Sequence, residues 1–148
     1  MAGAQPSNQN IKPRPGASAA IFRDGAVLLV ERAAPPFAGL WSLPGGAIEG
    51  GELAQAAAAR ELYEETGIKA EFIGLVDVAD VLVEEAGQLS AHHVIAVYCG
   101  LWRAGEAKAA SDAAAVRWAK ADELPQIDMT PGTLGFIAKA AAMLKPRQ

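Results

Sequence analysis

The chain of 148 residues contains a single cysteine, Cys99, so no internal disulfide can form. None is needed, because a chain of this length buries about two-thirds of its unfolded surface as one domain without a covalent staple or a structural metal. Aromatic residues make up only 6% of the chain, and the core must therefore be built mainly from Leu, Val, Ile and Ala. No apolar run approaches the ~18–20 residues of a membrane span, and the opening MAGAQPSNQN lacks the basic-then-apolar order of a secretory signal. The expectation is a cytoplasmic protein with no membrane partner. A cationic surplus is missing too: 13 Lys and Arg face 17 Asp and Glu, for a formal net charge of -4. Coating nucleic acid requires clustered positive charge, so nucleic acid is not an expected partner. Alanine, in contrast, supplies roughly a fifth of the residues. Its runs at 56–59 and 113–115 are interrupted by charged and large apolar residues, and read as helix filler or small-residue packing.

Residues 1–16 carry Pro6, Pro13, Pro15 and Gly16 among Ser, Asn and Gln, with no apolar period, and read as a mobile or strand-edge leader before one domain at 17–145. Ala17 to Phe22 and Ala26 to Glu31 are short apolar runs flanking Arg23-Asp24-Gly25, a strong hairpin signal. A long loop from Arg32 to Ser42 follows, with Pro35, Pro36 and Gly39, and a segment of this kind usually has a job. Gly51 to Thr66 reads as a helix closed by Gly67 in a left-handed cap. Ala70 to Val83 and Ala91 to Trp102 read as strands joined by an acidic loop through Glu84, Glu85 and Gly87, and Ala114 to Trp118 as a further strand. Thr130-Pro131 reads as an N-cap and first helical residue, opening a helix to about Leu144.

The segment Gly46 to Ile68, GAIEGGELAQAAAARELYEETGI, carries the chemistry. Residues three and four apart share a helix face, so Glu61 lies beside both Glu64 and Glu65. Like charges at this spacing cost about 0.2–0.5 kcal/mol per pair, and only Arg60 is near enough to relieve them. A solvated helix face is one account of three such glutamates. A divalent cation over the stripe is the other, and oxygen-only ligands favour Mg²⁺, Mn²⁺ or Ca²⁺ over zinc.

The complete spacing separates the two accounts. Gly46, Glu52, Arg60-Glu61-Leu62, Glu64-Glu65 and Gly67-Ile68 resemble the Nudix box, the signature of the Nudix hydrolase family, at every specified position. The flanking AVLLVER of residues 26–32, the GLWSLPGG of residues 39–46, and Trp118 with ADEL at 121–124 are similar to family segments as well. The resemblance implies an α+β fold, an α/β/α sandwich with a mixed β-sheet between helices. It implies Mg²⁺, with Mn²⁺ able to substitute, held by Gly46 through its carbonyl and by Glu61, Glu64 and Glu65. Glu61 and Glu64 are the implied catalytic residues, Glu64 as ligand or general base. Arg60 is expected to orient a box glutamate from behind the metal ligands. Glu52 either touches metal or orders the site, and Arg32 resembles a position facing the substrate phosphates.

The implied reaction is hydrolysis of a pyrophosphate bond in a nucleoside diphosphate linked to another group, with ADP-ribose, cleaved to AMP and ribose 5-phosphate, as the leading substrate. The alternatives are a nucleoside triphosphate pyrophosphohydrolase that clears the nucleotide pool and a nucleotide sensor without turnover. Glu84 and Glu85 are weaker candidates for the base than the box itself. His92 and His93 alternate across a strand and have no third ligand beside them, so they read as pocket-lining or packing residues. Trp41 reads as a core or loop anchor rather than a base platform. A homodimer is compatible with open sheet edges, and no residue specifies one.

Overall fold

The computed structural model describes residues 10–145, and residues 1–9 of the expected leader lie outside the described residues. Strand β1 (Arg14–Arg23) begins inside that leader, because Arg14 to Gly16 already pair with His93 to Ile95. It turns back at Asp24-Gly25, with φ of 51° and 81°, into β2 (Ala26–Arg32). Two central residues with positive φ form the turn whose twist matches that of the flanking strands.

This hairpin pairs at only two positions, Phe22 with Val27 and Arg23 with Ala26, and then splits. Into the fork come two short strands: β3 (Trp41–Ser42) against β2, and β4 (Gly45–Ala47) against Gly16 to Ser18 of β1. The other edge of β1 pairs in parallel with β6 (Gln88–Ala104), which pairs antiparallel with β5 (Lys69–Glu85). Strand β7 (Ala113–Lys120) completes the seven-stranded mixed sheet on β2. Glu84 and Glu85 do not form an acidic loop. They belong to β5, paired with Leu89 and Gln88, because Ala86 and Gly87, at φ 53° and 78°, make the turn by themselves.

Helix α1 (Ala54–Thr66) starts three residues later than its composition suggests, since Gly51 takes φ 81° and cannot begin a helix; Gly67, at φ 75°, closes it. Helix α2 (Thr133–Met143) is capped by Gly132 rather than Thr130. Thr130 accepts the Thr133 N–H at 3.2 Å in the preceding turn, which delays the helix past Pro131.

Alternation along β1 and β2 decides which helix each residue meets. Ala17, Ala19, Ile21 and Leu28 pack with Ala57, Ala58 and Leu62 of α1, whereas Ala20, Phe22, Val27 and Leu29 pack with Ile137 and Ala140 of α2. Sheet and helices thus form the α/β/α sandwich expected above. Leu28, Leu29 and Leu62 are at most 1% exposed, and burying each such side chain contributes about 1.5–3 kcal/mol. Among the described residues no helix is long and apolar enough to cross a membrane.

Candidate active site

The site is assembled where β4 meets the second half of α1. A β-carbon on Gly45 would lie 2.5 Å from the Ala17 carbonyl oxygen, and one on Gly46 would lie 2.5 Å from the carboxyl carbon of Glu61. Only glycines let this strand run so close to β1 on one side and to the helix carboxylate on the other. The Gly45 N–H donates to Glu65 Oε1 at 3.0 Å, so strand and helix are bonded as well as packed.

Arg60 is the hub of the acidic stripe. Its Nε donates to Glu52 Oε2 at 2.8 Å, and Nη2 donates to Glu52 Oε1 and the Ala47 carbonyl, each at 3.0 Å. Nη1 donates to Glu61 Oε1 and Glu64 Oε1, also at 3.0 Å. Glu52 further accepts the Glu49 N–H at 3.1 Å. The guanidinium bond first, then the Glu49 amide, holds the Glu52 carboxyl below the usual carboxylate range, and Glu52 in turn makes Arg60 harder to deprotonate. Arg60 therefore relieves the repulsion between Glu61 and Glu64, while that between Glu61 and Glu65 persists. Glu52 meets the cluster through this arginine.

Glu65 points the other way. It is 6% exposed, and burial pushes its carboxyl up to about 7, with Glu61 and Asp112 adding to the rise against the opposing pull of the Gly45 N–H and Arg32. A buried acid in a negative surrounding favours a nearby cation. Glu61, Glu64, Glu65 and the backbone oxygen of Gly46 are all hard donors, so the residues present fit Mg²⁺ or Mn²⁺ rather than a soft metal. Among the described residues no three acidic, histidine or cysteine side chains already converge on a single point. Glu61 and Glu64 turn to Arg60 and Glu65 turns to Gly45.

A cavity of about 340 Å³ opens from this edge into the fork of the sheet. Gly45, Gly46 and Ala47 line one part of it, and Val81, Val83, Ile95, Val97 and Phe136 provide apolar walls. Arg32 lines it too, and is fastened by its Nε to the Pro36 carbonyl at 2.8 Å. His93 faces the cavity, its pKa lowered first by burial and then by Arg14 and Arg32, so the imidazole is neutral at pH 7. His92 lies on the opposite face against Asp80 at 3.2 Å. Trp41 packs on the α2-side core and bonds through its backbone to Asp128 and Thr130, as an anchor does. Arg14 and Phe37 also line the cavity and were not singled out by sequence. Arg14 sits in a segment that reads as leader, while the one signal for Phe37 is an aromatic residue in a long loop.

Comparison with known proteins bears on the same region. The NUDIX domain family matches residues 12–140. A Mycobacterium tuberculosis protein provisionally named 8-oxo-dGTP diphosphatase 2 is 37% identical over 128 residues, 84% of this chain and 86% of its own. The ADP-ribose pyrophosphatase of Methanocaldococcus jannaschii is 33% identical over 108 residues, 72% of this chain and 62% of its own. Among solved structures, a MutT NUDIX hydrolase from Burkholderia pseudomallei is 36% identical and superposes with a TM-score of 0.76 over 86% of this chain and 98% of its own.

Proposed function

The chain belongs to the Nudix hydrolase family and is a pyrophosphohydrolase; from that premise we propose that its substrate is a nucleoside diphosphate linked to another group, cleaved between the two phosphorus atoms. The observation that carries this reading is the junction of the Gly46–Glu61–Glu65 edge with a cavity of small-molecule size.

Family members work with divalent cations. Here Gly46, Glu61, Glu64 and Glu65 would hold Mg²⁺, or Mn²⁺ in its place, and the bound ion offsets phosphate charge and acidifies a water. Glu64, with 48% of its side chain exposed, is more open to solvent than Glu52 or Glu61, which supports it as the base that takes the proton of the attacking water. Glu61 is the second catalytic carboxylate, seated on the Gly46 backbone. Arg60 fixes Glu61 and Glu64 relative to each other, and Glu52 fixes Arg60. Arg32 supplies positive charge to the cavity, where the substrate phosphates need it. Water adds its oxygen to one phosphorus as the bridging P–O bond breaks, and the leaving phosphate carries away the electron pair. A cytoplasmic location belongs to this reading, since charged phosphates keep nucleotides inside cells.

ADP-ribose is one substrate of this class. A nucleoside triphosphate, which is a nucleoside diphosphate linked to phosphate, is the other. The likeness to the Mycobacterium tuberculosis protein, which spans more of both chains than the likeness to the ADP-ribose pyrophosphatase, favours the triphosphate. A nucleotide panel with Mg²⁺ and product identification decides: AMP with ribose 5-phosphate marks the first, and a nucleoside monophosphate with pyrophosphate the second. Glu64→Gln and Glu65→Gln should each lower kcat by about 100-fold or more, as expected for groups that stabilise the transition state. Full metal-dependent rates in both variants would point to a different cluster. Retention of Glu52, Glu61, Glu64 and Glu65 favours turnover over a sensor role.

A further inference from the structure

The loop at residues 33–40 holds a feature that the hydrolytic reading leaves unused. Phe37 adopts φ 66°, a left-handed conformation that a bulky side chain seldom takes. Such a residue persists only where its surroundings over-determine it. Here they do. The Arg32 N–H donates to Leu40 O and the Gly39 N–H to Arg32 O, both at 2.9 Å, while the Leu40 N–H donates to Phe37 O at 3.1 Å. The Arg32 side chain closes the loop from inside through Pro36 O at 2.8 Å. Main chain and guanidinium of one arginine thus hold the loop in a single shape.

That shape does not serve the core. Phe37 joins neither hydrophobic cluster, yet it lines the cavity that also contains Gly45, Gly46 and Phe136. Packing in either core cluster does not explain why the backbone takes a left-handed conformation to keep this partly buried aromatic ring there. A ligand that reaches from the glycine edge into this cavity can explain it, if its phosphate end lies at Gly46 and its far end is planar and apolar. A cavity of about 340 Å³ is at the lower end of the range for small-molecule sites and suits one nucleoside.

We infer that Phe37 is a specificity-determining residue whose ring stacks on the planar base of the nucleotide substrate, with Arg32 as the residue that positions it. The inference rests on the nucleoside pyrophosphate reading, and binding separates the two. Metal-free calorimetry with AMP and GMP, together with kcat and KM on the best substrate of the panel, is measured for Phe37→Gly, Phe37→Leu and Phe37→Trp. The glycine variant accepts the positive φ, so loss of the ring is not confused with failure to fold. Stacking predicts that Gly and Leu raise Kd and KM by about fivefold or more while kcat changes far less, and that Trp keeps wild-type values. Wild-type affinity in the Leu variant makes the residue an apolar cover and overturns the inference, as does unchanged KM in the Gly variant or no nucleotide binding by the wild type. A wild type that binds AMP or GMP through Phe37 but hydrolyses nothing in the panel defeats the hydrolytic reading alone.

Discussion

Arg60 carries more of the site than its single position in the sequence suggests. One guanidinium bonds Glu52, Glu61, Glu64 and the Ala47 carbonyl, so a change there releases helix, loop and strand together. Arg60→Ala is expected to lower Mg²⁺ affinity or kcat about 10- to 100-fold, the usual effect of removing a partner that orients metal ligands. Melting should fall as well, because the Glu52 and Glu61 side chains are only 17% and 16% exposed and leaving such a carboxylate without its partner costs about 1–3 kcal/mol. Metal titration and thermal unfolding of the same variant check both halves, and a large loss of stability at undiminished activity would make Arg60 a purely structural residue. Lysine is a poor substitute, since one ammonium cannot reproduce the planar fork that meets Glu52 at two oxygens.

Two short elements, β4 and the end of α1, set the distance between backbone and carboxylates. In Gly46→Ala the new methyl would fall 2.5 Å from the Glu61 carboxyl carbon, so either the strand or the glutamate must move. The expectation is at least a tenfold loss of metal-dependent activity with the sandwich retained, checked by steady-state rates beside circular dichroism. Sequence made part of this level legible. The Asp24-Gly25 turn and the helix ending at Gly67 follow from local chemistry, whereas the spacing of Gly46 with the box glutamates is legible through its resemblance to the family signature. The burial of Glu65 is not among these: the sequence reads as three carboxylates on one charged stripe, whereas the helix sets Glu65 with the buried Ala58 and Leu62. The fork did not show. Strands of two and three residues have no period to detect, and the parallel partner of β1 lies in β6, far along the chain. Ala86 in a positive-φ turn and Gly132 as a cap had no distinctive neighbours, so Glu84, Glu85 and Thr130 read differently in the sequence than in space.

At the scale of the molecule, the charge of -4 is concentrated in one place. Residues 46–68 hold five glutamates and one arginine, and elsewhere twelve acidic residues meet twelve basic ones. Stability therefore depends on what neutralises that segment. Glu65 in the folded chain keeps its proton up to about pH 7, whereas an ordinary glutamate loses it near 4.5. The folded state binds more protons between these values, so the contribution is fully present below pH 4.5 and is lost as pH rises through about 7. At about 1.4 kcal/mol per unit this is a loss on the order of 3 kcal/mol. The melting temperature of metal-free protein should fall across that window, Glu65→Gln should flatten the fall, and Mg²⁺ should raise the wild-type value most above pH 7. A wild type and Glu65→Gln with parallel profiles would remove Glu65 as the cause.

The bond from Gly45 to Glu65 joins the acidic end of α1 to a strand whose next face is the cavity wall. On the proposed reading, a cation that draws on Glu65 would act on the backbone that lines the nucleotide cavity, and the two ligands would share one free energy of interaction. Reciprocity follows: by whatever factor the ion changes nucleotide affinity, the nucleotide changes ion affinity by the same factor. If the ion tightens nucleotide binding, the nucleotide tightens ion binding equally, and the proposed substrate would help to load its own metal.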